Sequence, residues 1–203
     1  PPSLGGALIN IYASYITLDG LRCSYSGGHG IQRMSGSELY AKQPKAVEAL
    51  SNTIIKNCEV DNSYDGGIIF DGHHLKNGGS NVVVENCKVH HGHRTGWMAH
   101  EAVSIRNVDG FSVTNCEVYE NGKEGIDAKY GTKNGVIARN HVYRNKSANI
   151  YVDGASLIKV FGNICHDTWE SSRPGIAKAP NIALGVETTN NKRCGTRDVA
   201  IYN

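Results

Sequence analysis

The 203-residue sequence has no uninterrupted apolar run of the roughly 18 residues that a membrane-spanning helix requires, so no membrane partner is expected. Nor does one charge dominate. Lys and Arg number 21 and Asp and Glu 19, a net charge of +2, too weak a field to argue for nucleic acid or an anionic lipid surface. Proline is scarce, at five residues. The opening stretch PPSLGGALINIYASYITLDG lacks the basic start and the small-residue cleavage site of a secretory leader; a mature or trimmed secreted chain stays open. The six cysteines form no C-x-x-C pair, which argues against a zinc knuckle. No segment carries a useful apolar stripe of helical period, so helices are not expected to build the core.

What the chain does have is 24 glycines and an internal repeat. NTIIKNCEVDNSYDGGIIFDG, NVVVENCKVHHGHRTGWMAHE, GFSVTNCEVYENGKEGIDAKY, GVIARNHVYRNKSANIYVDGA and LIKVFGNICHDTWE lie over one another. One column holds Cys58, Cys87, Cys116, Asn140 and Asn163, with steps of 29, 29, 24 and 23 residues. Two residues on stand Val60, Val89, Val118, Val142 and Cys165. Nine residues on stand Gly67, Gly96, Gly125 and Asn149, followed by Ile68, Trp97, Ile126 and Ile150. An imperfect earlier copy places Cys23 in the first column, and NIALGVE opens a later one.

Each copy is three short runs of period-two alternation separated by Asn and Gly, which accept left-handed backbone cheaply. Three strands per 23 to 29 residues predict a right-handed parallel β-helix of about seven coils, stacked ~4.8 Å apart. The cysteine column then reads as small apolar residues stacked inward. Cys165 and Cys194 are the more plausible disulfide pair. Both chain ends fall inside a coil, which reads as one domain over 1–203, a segment of a longer chain.

The alternation also sorts faces. In the third strand of each coil, Ile68, Trp97, Ile126, Ile150 and Ile182 are expected inward, with Phe70, Ala99, Ala128, Val152 and Leu184. One expected outward column holds Gln32, Ile69, Met98, Asp127, Tyr151 and Ala183, and the next holds Met34, Asp71, His100, Lys129, Asp153 and Gly185. Flanking loops add His73, His74, Glu101 and Glu187, and the VHHGHRTG turn adds His90, His91, His93 and Arg94. A flat face of acids, bases and one aromatic suits an extended polymer, since a sugar unit is about as long as the ~4.8 Å coil spacing. Tyr151, Arg94 and Glu101 are the candidate glycan contacts, and Lys129, Asp127 and His100 the candidate proton-transfer groups. The bland alternative is a solvated face with a Lys129–Asp153 cross-strand pair. The histidine-rich turn is a candidate for a transition metal or a solvated loop.

The whole chain resembles the right-handed β-helix repeat proteins found among secreted bacterial carbohydrate-active proteins, through EGIDAKYG, NIYVDG and GIAKAPNIALGVE. EGIDAK is also similar to the D-G-F-A-A-K block of family-nine polysaccharide lyases, in which the lysine is the catalytic base. That resemblance implies Lys129 as base and a Ca²⁺ held by Asp71, Asp127 and Asp153 against a uronate carboxylate. The chemistry is β-elimination: a cation on the carboxylate acidifies the neighbouring C–H, and a lysine beside the cation has its pKa lowered. The expected setting is extracellular and the partner an acidic polysaccharide. A glycoside hydrolase using Asp127 and Asp153, with Glu101 as a third carboxylate, stays open. So does a non-catalytic glycan-binding, adhesin or filament β-helix that self-associates through open coil ends.

Overall fold

Three corners per coil depend on a left-handed residue. Asn57, Asn86, Asn115, Arg139 and Gly162 hold φ of 54°, 52°, 55°, 56° and 60° just before the repeat column. Asn62, His91, Glu120, Arg144 and Asp167 repeat this at the next corner, with φ from 51° to 54°. A third set, Asn52, Asn81, Gly110, Asn134, Leu157 and Asp198, bends each long strand, with φ from 54° to 80°. Asn and Gly pay little for this conformation, whereas Arg139, Glu120 and Leu157 each cost on the order of 1 kcal/mol and are held by the coils above and below.

The computed structural model describes residues 6–34, 50–72, 78–93, 100–169, 178–186, 188–189, 192–193 and 195–203. Ile9–Ile11, Ile31–Met34, Ile68–Asp71, Val103–Arg106, Ile126–Lys129, Ile150–Asp153 and Ile182–Gly185 form sheet A. Ile16–Asp19, Ser51–Lys56, Ser80–Glu85, Asp109–Thr114, Lys133–Ala138, Ser156–Phe161 and Arg197–Tyr202 form sheet B. Arg22–Ser24, Glu59–Asp61, Lys88–His90, Glu117–Tyr119, His141–Tyr143 and Ile164–His166 form sheet C. Every strand in these sheets pairs in parallel with the strand one coil away, so the chain is a right-handed parallel β-helix of about seven coils, as the repeat predicts.

The core is a set of ladders. Ile31, Ile68, Val103, Ile126 and Ile150 stack in register in sheet A, all fully buried. Cys58, Cys87 and Cys116 are buried free thiols, and each Sγ contacts a carbonyl two residues back, of Lys56, Glu85 and Thr114, at 3.1, 3.3 and 3.3 Å. Cys23 is out of that column: it pairs with Val60, one alternation step along, because the first coil has Leu21 where later coils have the cysteine. Cys165 is a free thiol, and Cys194 lies outside the described residues.

Sheet A departs from the expected register in one coil. The strand there is Val103–Arg106, not the segment beginning at Trp97. Val103 pairs with Ile68 and Ile126, and Arg106 with Asp71 and Lys129. Gly96–Trp97 imitated the turn signal, but this coil has a longer connection, and Ala102 holds the place of Gly67 and Gly125. Trp97, Met98 and Ala99 lie outside the described residues, and His100 precedes the strand. The inward column carries a surprise at Arg33, in register with Phe70 and wholly buried, its guanidinium 5.2 Å from the Phe70 ring and bonded to the Leu50 carbonyl at 2.7 Å.

Where the thiol column ends, asparagines continue it by hydrogen bonding. Asn140 Oδ1 accepts from Cys116 N at 2.9 Å, and its Nδ2 donates to Val113 O and Asn163 Oδ1, both at 2.9 Å. Asn140→Ala orphans a buried N–H and carbonyl and is expected to cost about 2–4 kcal/mol in urea unfolding. A loss under about 1 kcal/mol would show that water replaces the amide.

Candidate functional site

Most of sheet A's outward residues, exposed by the alternation rule, are buried in fact, while Tyr151, Ala183 and Gly185 stay partly open. Asp127 and Ser104 are 0% exposed, Lys129 is 4% and Glu101 1%. The expected open face of solvated charges is therefore corrected to a covered one. Burial removes water as a partner, so each charge must be met by another group.

Lys129 shows how. Its Nζ lies 2.6 Å from Glu101 Oε1 and 2.9 Å from Asp127 Oδ2, and Ser104 donates to Glu101 Oε2 at 2.7 Å. Burial alone would lower the lysine's pKa, but Asp127 and Glu101 outweigh it and raise it. Burial would raise Glu101, yet Lys129, Lys123 and the Ser104 hydroxyl hold it down at about 2. Asp127 has the opposite fate: burial, with Glu101 and Glu124 repelling a second charge, raises its pKa well above the ordinary value despite Lys129. The triad thus sets a lysine held in its ammonium form between one carboxyl that is held down and one that is pushed up. The lysine is held protonated, the reverse of what a resting base needs.

The column beside it sets two cations between two acids. Asp71, Arg106, Lys129 and Asp153 follow one another in register. Arg106 Nη1 donates to Asp71 Oδ2 at 2.9 Å. Two cations thus stand between Asp71 and Asp153, which are three strand spacings, about 14 Å, apart. Asp71, Asp127 and Asp153 are not brought together, and the residues present do not form the carboxylate cradle that Ca²⁺ takes. Arg106 was missed in the sequence because the coil's turn was placed at Gly96. The alternation in AVSIRN carried the signal.

Tyr130 caps this column. Its ring lies 4.8 Å from the Arg106 guanidinium and 5.1 Å from Lys129 Nζ. It sits in the left-handed region at φ 59°, at a corner that neighbouring coils fill with Asn107 and Gly154. An aromatic there is strained where Asn and Gly are not. Tyr151, next to Asp127 in register, is half-buried with its ring packed over Gly185, where a side chain would collide with it. Arg94 lies outside the described residues, as do His73, His74 and Glu187.

His100 has moved to a second cluster at the entry to the strand. Its Nδ1 is 3.2 Å from Asp65 Oδ2, and Arg106 Nη1 approaches its Nε2 at 2.7 Å. Burial pulls its pKa down, but Asp65 and Asp71 win and raise it, with Arg106 opposing them. The histidine-rich turn is split up. His90 stacks on Tyr119, His91 Nε2 meets Glu120 at 2.8 Å, and His93 turns inward beside Asp65. Sheet C carries a more open network, in which Arg22 reaches Asp61 at 3.0 Å and Glu59 at 3.6 Å. Its outward groups form surface pairs such as Lys88–Glu117 at 3.3 Å and a stacked ring ladder of His90, Tyr119, Tyr143 and His166.

The triad makes opposite demands at the two ends of the pH scale. Glu101, depressed by folding, stabilises above pH about 4.5, a contribution lost as pH falls towards 2. Asp127, raised by folding, favours the native state at low pH, and that contribution is lost as pH rises through its folded value. Glu101→Gln is expected to cost about 3–5 kcal/mol at pH 7, shrinking towards pH 3. Asp127→Asn is expected to gain on the parent as pH rises above the ordinary carboxylate range. Urea unfolding across pH checks both, and a pH-independent difference for either variant would refute the charge assignment.

The sequence profile described as right handed beta helix region matches residues 3–168 and again 75–202. No curated protein matches the chain significantly. Among solved structures, full-length tailspike protein 2 of the Escherichia coli O157:H7 bacteriophage CAB120 is similar, with a TM-score of 0.64 at 14% identity, over 96% of this chain and 27% of that one. This chain thus corresponds to a minor part of that protein, and at such identity the likeness is one of fold. Three parallel sheets stacked coil on coil, with a family match reaching across nearly the whole sequence, place the chain in the right-handed β-helix region family.

Proposed function

We propose that this is an extracellular polysaccharide-active β-helix protein that engages an acidic glycan along the outer side of sheet A, with β-elimination as its reaction. One observation carries the reading. Arg106 and Lys129 stand side by side on adjacent strands, and Tyr130 is held over both at a corner where its neighbours have Asn and Gly. The paired cations, buried beneath Tyr130, put a positive field under a uronate carboxylate bound above them and favour the enolate-like charge that proton loss creates. Tyr130, half-exposed above them, is the group placed to exchange a proton with the bound sugar. Lys129 acts here as the cation, not the base, because Glu101 and Asp127 keep it charged. This form of the reaction makes no use of Ca²⁺.

Hydrolysis is the second reading, and the triad favours it. Burial pushes the Asp127 carboxyl up while Lys129 and Ser104 hold Glu101 down, a split in the sense that glycosidases use.

Absorbance near 235 nm with pectate, alginate and glycosaminoglycans, with and without chelator, separates the readings. A chelator-insensitive rise is expected, reduced about 100-fold or more in kcat by Tyr130→Phe, which keeps the ring over the cations. Reducing ends released without that rise would replace elimination by hydrolysis. Neither product on any polymer would leave a binding or filament role.

A further inference from the structure

Away from Tyr130, at the corner leading from sheet C into sheet A, three imidazoles from two coils surround one carboxylate from the coil between them. His29 Nε2 lies 3.7 Å from Asp65 Oδ2, His100 Nδ1 3.2 Å from the same oxygen, and His93 Nδ1 3.4 Å from Asp65 Oδ1. One donor atom each from His29, Asp65 and His100 lies within 4.8 Å of the others. The His29 and His100 rings meet edge to face, at 4.6 Å and 82°.

His93 is the independent observation. It is 4% exposed, and neither ring nitrogen has a hydrogen-bond partner among the described residues. A buried imidazole left without a bond is costly, and a group in that state asks for a ligand. Its position is not accidental: the left-handed backbone at φ 61° and two bonds from its N–H, to Ser63 O and Asp65 O at 3.0 Å each, turn the ring in towards Asp65.

We propose that His29, Asp65, His93 and His100 form a binding site for a divalent transition metal of the zinc class. Nitrogen and carboxylate ligands at about 2.0–2.2 Å in a tetrahedron stand about 3.4 Å from one another, the spacing seen here around Asp65. Three imidazoles and one carboxylate select a borderline transition ion over Ca²⁺ or Mg²⁺. Metal on His100 Nδ1 moves that ring's proton to Nε2, so the Arg106 guanidinium, now donating to Nε2 at 2.7 Å, must turn away and leave that nitrogen to Asp71 Oδ2, 3.6 Å off. His29 is the weakest ligand, because its Nδ1 now accepts from Gly66 N at 3.2 Å and binding through Nε2 breaks that bond. The other acidic histidine cluster, Glu59, Asp61 and His90, is already spanned by Arg22, 3.0 Å from Asp61 and 3.6 Å from Glu59. The site stands independently of the glycan reading.

Titration of the intact chain with Co²⁺, followed by visible d–d absorption and competed with Zn²⁺, tests this. The expected result is one equivalent bound, with the intense bands of a tetrahedral ion. Affinity is expected to fall by more than about 100-fold in Asp65→Asn and by about 10- to 100-fold in Asp71→Asn, the supporting partner. His29→Gln should weaken binding less than His100→Gln, and Glu59→Gln should leave it unchanged. His93→Gln gives up no hydrogen bond, so it keeps the fold and should change the spectrum even where Asp65→Asn does not fold. No Co²⁺ or Zn²⁺ binding by the parent, binding unaltered in Asp65→Asn, or a spectrum indifferent to His93→Gln would overturn the site.

Discussion

The parallel backbone hydrogen bonding from each coil to the next is the constraint on which the rest depends. It sets the coil spacing, and with it the distance between any residue and its equivalents above and below. Identical positions are forced into contact, so each column must be a side chain that tolerates its own neighbour. Isoleucine, valine and cysteine do this by packing, and asparagine does it by donating to one coil and accepting from the next. The left-handed corners serve the same end, turning the chain so that the next strand arrives in register.

The same spacing governs charge. Along sheet A's outer side, register makes neighbours of Asp71, Arg106, Lys129 and Asp153. Like charges at that distance in a covered environment would be prohibitive, and the order acid, base, base, acid leaves one unfavourable step, between Arg106 and Lys129. Tyr130 lies over that step, and Glu101 and Asp127 meet the lysine from the side. The two carboxyls around the one ammonium are pushed apart: Glu101, with Ser104 as a second donor, is held down, and Asp127, without one, is pushed up.

Much of this was legible in the chain. Cys58, Cys87, Cys116, Asn140 and Asn163 announce the coil, and the alternation from Ile126 to Lys129 identifies which side chains leave the core. Where the reading slipped, a local signal imitated a structural one. Gly96–Trp97 has the look of the turn before a sheet A strand, yet the coil runs on to Ala102 before turning. That slip hid Arg106 and placed His100 in a column it does not join. Cys23 slipped for a related reason, since cysteine is acceptable at either of two inward positions and only pairing with Val60 decides between them.

The sequence by itself determined the coil, its handed corners, its ladders and the outward direction of Asp127 and Lys129, because period-two alternation and left-handed residues are local properties that each segment carries. Tertiary structure alone decided that the outward face is covered, that Lys129 is held protonated, that the three aspartates stand apart and that His29, His93 and His100 meet at Asp65. Those outcomes depend on dielectric and on distances between residues far apart in the chain. No local pattern encodes them, because they come into being only when one coil settles on another.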